Sequence, residues 1–344
     1  MLNFFLKKIS SLLLILYSFL YLLLTPVIAM NSEDKIGSDT FINSVPCLGN
    51  LPSESVLQKD PQHLEMRSSK GGLVTNFTYN FHSMIPPDKE SSIVDGLQKR
   101  NSSLRTINVI FNEERGKEVL SALKSNQSIE NAELFFFWRK LSSDESNSLM
   151  FFVARSPSLN ALRLEAYLDD PLLFKFADVL RQNSLALKKL KLGATIKKPK
   201  AHPLSKESVE GFFQAIGVNN SLKLLQVDFP FPLGSIQNLT EALKLNNTLK
   251  VLALPNQELE DEGIISLAEG LKENTSVTEI DLSDNNISDI GAEIILNTLE
   301  VNQTLVTLHL AGNPISDSKK AEINKILDKR KTPVFNFSRE ISLP

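Results

Sequence analysis

The chain has 344 residues, of which 42% are hydrophobic and 22% are charged, and its formal net charge at pH 7 is -3. This balance excludes a disordered acidic tail and a strongly basic nucleic-acid-binding protein, and it suits one long solenoid or one to two compact domains. Cys47 is the only cysteine, so the chain can form neither an intramolecular disulfide nor a multi-cysteine zinc site.

Residues 1–29 have the pattern of a secretory signal peptide. Lys7 and Lys8 precede an apolar run from Leu12 to Leu24, and Ala29 offers a small residue for cleavage. The alternative is a retained membrane anchor, because the run approaches the roughly 20 residues that span a bilayer. We therefore expect a secreted or periplasmic protein that is attached to a membrane only if this segment stays uncleaved.

Residues 30–72 show no repeat register and contain several prolines, among them Pro46, Pro52 and Pro61. We interpret them as a leader followed by an N-terminal cap. Such caps cover the apolar end that the first repeat of an array would otherwise expose to water.

Residues 73–316 carry a recurring pattern of three apolar residues, L-x-x-L-x-L, with a period of about 28 residues. The clearest copies begin at Leu249, Val277 and Leu305. Weaker copies begin at Val74, Leu104, Ile129, Leu159, Leu187 and Leu222. The total is about eight to nine repeats, and the first and third are the least regular.

Stretches with apolar residues at helical spacing separate the triplets, for example Leu172 to Leu180 and Ile264 to Leu271. Ser205 and Asp289 are predicted helix starts. Asparagines precede several triplets, as at Asn126 and Asn247, and we expect them in the left-handed conformation that often follows a helix end. This role also gives a structural reading to the N-x-S/T acceptor patterns at Asn76, Asn126 and Asn274.

The copy that begins at Val277 continues with Asn285, Ile287, Gly291, Ile294 and Leu299. It resembles the leucine-rich repeat of the ribonuclease-inhibitor type, which also forms the sensor arms of NOD-like receptors and occurs in many bacterial effectors. The resemblance implies a right-handed α/β leucine-rich-repeat solenoid (horseshoe), with a parallel β-sheet on the concave face and helices on the convex face. Residues 317–344 are then a capping helix and tail.

Candidate chemistry is sparse. His63, His82, His202 and His309 are scattered, and no motif for nucleotide binding or a catalytic nucleophile is present, so we predict no catalytic residue, metal or cofactor. An alternative is a GTPase activator resembling the Ran activators, for which Arg155, Arg163 and Arg181 could be nominated.

The remaining candidate is a protein-binding surface. Strand residues between the leucines point away from the core, and their charges separate into a basic section and a following acidic section. The repeat that begins at Leu187 is about seven residues longer than the period, which predicts a basic loop at 195–203. The candidate binding residues are Arg163, Lys189, Lys191, Lys197, Lys198, Lys200, Asp228, Glu279, Asp281 and His309.

Aromatic residues crowd the third repeat, at Phe135 to Trp138 and at Phe151 and Phe152. They are either a bulky core or a surface platform for a partner. No aromatic residue interleaves the lysines of the loop, so nucleic acid is not expected. The sequence favours a monomeric, non-enzymatic, exported bacterial protein, a possible effector that binds a host protein. The alternative is a periplasmic or membrane-anchored scaffold.

Overall fold

Nine strands alternate with eight α-helices in the part of the chain that the computed structural model describes, residues 76–80, 94, 97–98, 105–111, 116–182, 185–194 and 204–330. These residues belong to the unit Pro52–Pro344. The predicted signal segment, the leader with Cys47, the basic loop and the tail from residue 332 onward lie outside the described residues.

The strands are β1 Asn76–Asn80, β2 Thr106–Phe111, β3 Asn131–Lys140, β4 Ala161–Tyr167, β5 Lys189–Ala194, β6 Leu224–Asp228, β7 Val251–Ala253, β8 Glu279–Asp281 and β9 Thr307–His309. The helices are α1 Gly116–Leu123, α2 Ser143–Arg155, α3 Asp170–Leu180, α4 Lys206–Val218, α5 Ile236–Leu245, α6 Glu260–Glu273, α7 Asp289–Val301 and α8 Asp317–Asp328. A short 3-10 helix, Leu233–Ser235, precedes α5. From β2 onward each strand is followed by one helix, so a strand and its helix form one repeat.

All described strands join one parallel sheet in chain order. The middle residues of the nine triplets are Cα partners across it: Phe77, Ile107, Ala132, Leu162, Leu190, Leu225, Leu252, Ile280 and Leu308. This arrangement confirms the predicted parallel α/β solenoid. The third triplet, which looks degenerate in sequence, keeps the register, because Ala132 and Leu134 take the inward positions and are buried.

The core lies between the sheet and the helical layer. Leu190, Leu225, Leu252 and Ile280 are fully buried from the strand side, and residues such as Phe176 meet them from the helices. Each buried side chain of this size contributes about 1.5–3 kcal/mol relative to an exposed one. Because neighbouring repeats share these contacts, the core is continuous along the array.

Buried asparagines, which we call the asparagine ladder, link the ends of helices α4, α5, α6 and α7 to the preceding repeat. Asn219, Asn246, Asn274 and Asn302 have extended backbones with φ near -75°, from -72° to -80°. The left-handed conformation expected at this step is therefore wrong, and the residue concerned in the repeat of Leu249 is Asn246 rather than Asn247. Left-handed residues instead follow strands β7 and β8, at positions such as Asn256 and Asp284.

The side-chain amide explains why asparagine is needed there. The Nδ2 atom of Asn274 donates to the carbonyl oxygens of Leu243 and Asn246 at 2.7 and 2.9 Å, and its Oδ1 atom accepts from the backbone N–H groups of Ser276 and Val277. These bonds satisfy backbone groups that would otherwise be buried without partners. Asn126 and Asn274 are 2% and 4% exposed, which supports the structural reading of their N-x-S/T patterns.

Aspartates in the first turn of one helix accept hydrogen bonds from backbone N–H groups at the start of the next helix. Asp261 Oδ1 accepts from the backbone N–H groups of Ser288 and Gly291 at 2.9 and 3.0 Å, and Asp289 accepts from Ser316 N–H at 2.7 Å. Helix α7 itself is capped by Ser288, one residue before the predicted start at Asp289. The predicted cap Ser205 is confirmed, since its side chain accepts from Ser208 N–H.

Candidate protein-binding face

Rows of side chains run across the concave face of the sheet, because successive strand residues alternate between the core and solvent. The central row is formed by Cα partners on neighbouring strands: Asn108, Glu133, Arg163, Lys191, Gln226, Ala253, Asp281 and His309. It brings five charged or titratable residues of five different repeats into one line. Four of these five, all except Glu133, were predicted as binding residues.

Glu133 on β3 adds a carboxylate beside the predicted basic section. Its Oε2 atom accepts a hydrogen bond from Asn108 Nδ2 at 3.0 Å. Burial raises the pKa of Glu133, and the neighbouring charges of Arg163 and Lys191 oppose that increase. Glu133 belongs to the least regular repeats, but the L-x-x-L-x-L register applied to Ile129, Ala132 and Leu134 would have placed it on this face.

The pKa of Lys191 on β5 is shifted downward, opposite to that of Glu133. Burial lowers the pKa of Lys191, the positive charge of Arg163 lowers it further, and Glu133 raises it. Lys189, on the same strand, also faces outward and is half-buried. The section from β3 to β5 is thus half-buried and carries both signs, because Glu133 and Glu165 lie beside the predicted basic residues.

Arg163 on β4 is held by two neighbours. Its guanidinium lies over the ring of Phe135, with 5.1 Å from the guanidinium carbon to the ring centroid, and its Nε atom donates to Glu165 Oε1 at 3.1 Å. Such a cation–π contact adds to the electrostatic hold on the guanidinium. Gly193 provides the space for Glu165, since a Cβ there would lie 3.1 Å from Glu165 Cγ.

The aromatic cluster of the third repeat divides between core and surface. Phe136 is buried and stacks on Phe111 at a centroid distance of 4.0 Å, and Phe152 is also buried. Phe135 is half-buried on the concave face, whereas Phe151 is 48% exposed on helix α2. The side chains of Phe137 and Trp138 lie outside the described residues, so the described part of the cluster is divided equally between core and surface.

The acidic section lies on β6 and β8. Glu279 and Asp281 project from one strand, and Asp228 lies two strands away. His309 Nε2 is 3.2 Å from Glu279 Oε1, and this hydrogen bond is the main cause that raises the pKa of His309; Asp281 also raises it, while burial lowers it. Asp281 Oδ1 accepts from the backbone N–H of Ser283 at 2.9 Å.

Two of the arginines of the enzyme alternative, Arg155 and Arg181, lie at the ends of helices and not on this face. Lys197, Lys198 and Lys200 lie outside the described residues. Arg181 follows helix α3, where it donates to Asp178 and to the Gly211 carbonyl, and Arg155 ends helix α2, so neither shares a centre with Arg163 on β4.

The residues that the structure describes contain no group of three or more His, Cys, Asp and Glu side chains placed to hold a metal ion. Among them there is also no helix whose length and hydropathy would let it span a membrane.

The family model described as "Leucine Rich repeat" matches residues 273–295 and 301–318, which include strands β8 and β9. The repeat register, the parallel sheet and this match agree on a leucine-rich-repeat fold, whose long strand–helix repeats are similar to the ribonuclease-inhibitor-like type. A search of curated protein sequences found no match.

Several solved structures are similar to this chain. A protein from Bacteroides fragilis has a TM-score of 0.48 and 17% identity, with 75% of this chain and 74% of that chain covered. The leucine-rich repeat-containing protein LegL7 from Legionella pneumophila has a TM-score of 0.45 and 16% identity, over 69% of this chain and 73% of that chain. The C-terminal domain of Caenorhabditis elegans tropomodulin has a TM-score of 0.38 and 16% identity, over 46% and 92%. The partner of this chain does not follow from similarities of this size.

Proposed function

We propose that this protein is a non-enzymatic binding module whose concave face contacts a protein partner. The observation that carries the proposal is the central row, in which Glu133, Arg163 and Lys191 are half-buried and the Arg163 guanidinium lies over the aromatic ring of Phe135. Arginine and aromatic side chains dominate the energetics of protein interfaces. Arg163 is already oriented by Phe135 and Glu165, so ordering it on binding costs little entropy.

The partner is proposed to be a host protein that meets an exported bacterial effector. The support for export is the sequence of residues 1–29, with Lys7 and Lys8 before the apolar run and Ala29 at the expected cleavage site. A periplasmic or membrane-anchored scaffold is the competing proposal. Sequencing the N-terminus of the mature protein separates the secreted form from the membrane-anchored one, because a retained Met1 would contradict the secreted form.

The binding proposal is tested by reversing charge on the concave face. In a Lys189→Glu/Lys191→Glu variant we expect loss of partners that the wild-type protein recovers from host lysate, measured by quantitative mass spectrometry. A Lys272→Glu/Lys325→Glu variant is the matched control, because it makes the same charge change at exposed positions on helices α6 and α8.

The two variants give opposite expectations for the same measurement. If the concave variant recovers the same partners as the helical control, the proposed face is wrong. A separate Lys197→Glu/Lys198→Glu variant assigns any remaining dependence to the loop at 195–203. Equal thermal midpoints for all variants show that the comparison concerns binding and not folding.

A further inference from the structure

We propose that the concave face selects an extended partner segment that carries an acidic and a basic side chain about four residues apart, with apolar residues between them. This inference rests on the proposed function and specifies the chemistry of its partner. It depends on the order of charged and uncharged strands along the sheet.

One end of this order is basic. Strands β4 and β5 project Arg163, Lys189 and Lys191 outward, together with one carboxylate, Glu165, which is the hydrogen-bonding partner of Arg163. Glu133 on β3 lies on the far side of Arg163 from Lys191. A partner carboxylate is therefore attracted to β5, where the two lysines project from the same strand.

The other end is acidic. In the described strands β6 to β9 the outward charged or titratable side chains are Asp228, Glu279, Asp281 and His309, three carboxylates and one imidazole. Glu279 and Asp281 project from the same strand, with His309 at the edge of the pair. A lysine or arginine of the partner is thus attracted to β8.

Strands β6 and β7 lie between the two ends. The first two outward-facing positions of each of these strands carry no charge. Those positions are Leu224, Gln226, Val251 and Ala253. Leu224 and Ala253 are 7% and 4% exposed, and Val251 is half-buried. The surface between β5 and β8 is therefore mostly apolar, and these three side chains do not protrude from it. Apolar partner residues can lie on Leu224, Val251 and Ala253 without leaving buried polar groups unpaired, and Gln226 is the single polar side chain among these four positions.

The spacing sets the length of the segment. Three strand steps separate β5 from β8, and at about 4.8 Å per step the distance is about 14 Å. An extended chain rises about 3.3 Å per residue, so about four residues cover it. The two ends act on one another across the face, because Asp281 is among the charges that raise the pKa of Lys191.

The test is selection of peptides from a displayed random library on the full-length protein. We expect wild-type protein to enrich peptides with one acidic and one basic residue about four apart and apolar residues between them. A Lys189→Gln/Lys191→Gln variant should lose only the preference for the acidic residue. A Glu279→Gln/Asp281→Asn variant should lose only the preference for the basic residue, and the Lys272→Glu/Lys325→Glu control should keep both.

The outcomes separate this inference from the proposed function. If enrichment depends on the concave residues but yields peptides of a single charge sign, the two-sign inference is wrong and the proposed function stands. If both concave variants enrich the same peptides as the wild-type protein, the two-sign inference and the proposed function are both wrong. Light scattering on the full-length protein covers the remaining occupant: a dimer that dissociates in both concave variants would assign the face to a second copy of the chain and overturn the inference.

Discussion

Arg330 donates a hydrogen bond to the carbonyl oxygen of Leu299, at the place where Asn302 binds the carbonyl oxygen of Leu271 one repeat earlier. Both bonds span 31 residues. The side chain of Arg330 also donates to the carbonyl oxygen of Leu305 at 2.7 Å. The guanidinium of Arg330 thus binds both the end of helix α7 and the start of the last triplet.

Arg330→Ala should therefore destabilise the last repeat. The change leaves two carbonyl groups without their donor, and each such loss in a buried setting costs about 1–3 kcal/mol. We expect a lower midpoint of urea unfolding and faster amide hydrogen exchange in helix α8. Lys329→Ala is the control, since Lys329 is exposed at the adjacent position. Equal midpoints for the two variants would show that Arg330 has no such role.

Ser156→Asn is predicted to stabilise the protein. Ser156 has the backbone conformation of the ladder asparagines, with φ -73° and ψ 115°, the same values as Asn302. Its Oγ atom is buried and makes no hydrogen bond in the described structure. An asparagine side chain is long enough to make the bonds that the ladder makes elsewhere, each contributing about 1 kcal/mol.

The measurement for this change is the thermal midpoint, with Ser156→Ala as the comparison. The alanine variant removes the unpaired hydroxyl but adds no hydrogen bond. The thermal midpoint of the asparagine variant should therefore be higher than that of the alanine variant and that of the wild type. A midpoint for Ser156→Asn below that of Ser156→Ala would mean that the larger side chain does not fit the site.

The leucine triplets predicted the strands and their pairing because one physical requirement fixes them. Side chains of a strand alternate, and each repeat must bury its inward residues against the next, so Leu225, Leu252 and Ile280 specify the register directly. The same rule placed Arg163, Lys191 and Asp281 on one face. Helix α2 was not among the clearest sequence predictions, because its buried face includes Glu145, Ser146 and Ser148 and so lacks a simple apolar pattern.

The chemistry of the face could not be predicted to the same degree. The environment of a charged side chain depends on the neighbours that it contacts, such as Glu165 on the same strand for Arg163 and Asn108 of the preceding repeat for Glu133. These contacts depend on side-chain conformation and not on the repeat pattern. The asparagine ladder shows the same limit: the sequence indicated where asparagine is required, but the bonds of Asn274 to Leu243 and Asn246 reveal the reason.

Gly291→Ala should destabilise the contact between helices α6 and α7. A Cβ at Gly291 would lie 2.5 Å from Asp261 Oδ1 and 2.5 Å from Ile287 Cγ2, and the Asp261 carboxylate accepts from the start of α7. The carboxylate must move and weaken these bonds, so we expect a loss of about 1–3 kcal/mol in the free energy of unfolding. Gly234→Ala is the matched control, because no heavy atom lies within 4 Å of a Cβ there. The explanation fails if both variants unfold at the same denaturant concentration.

The His309–Glu279 pair should make stability depend on pH. The hydrogen bond to Glu279 raises the pKa of His309 above its ordinary value of 6.5, so protonated His309 is favoured by folding. Its contribution is fully present below the pKa of the unfolded chain and is lost as the pH rises through the higher folded pKa. The difference in thermal midpoint between wild-type protein and Glu279→Gln should therefore be larger near about pH 5 than near about pH 8. Glu269→Gln, an exposed change on helix α6, is the charge-matched control. NMR titration of the His309 ring should show a lower pKa in Glu279→Gln, and an unchanged ring pKa would contradict the pairing.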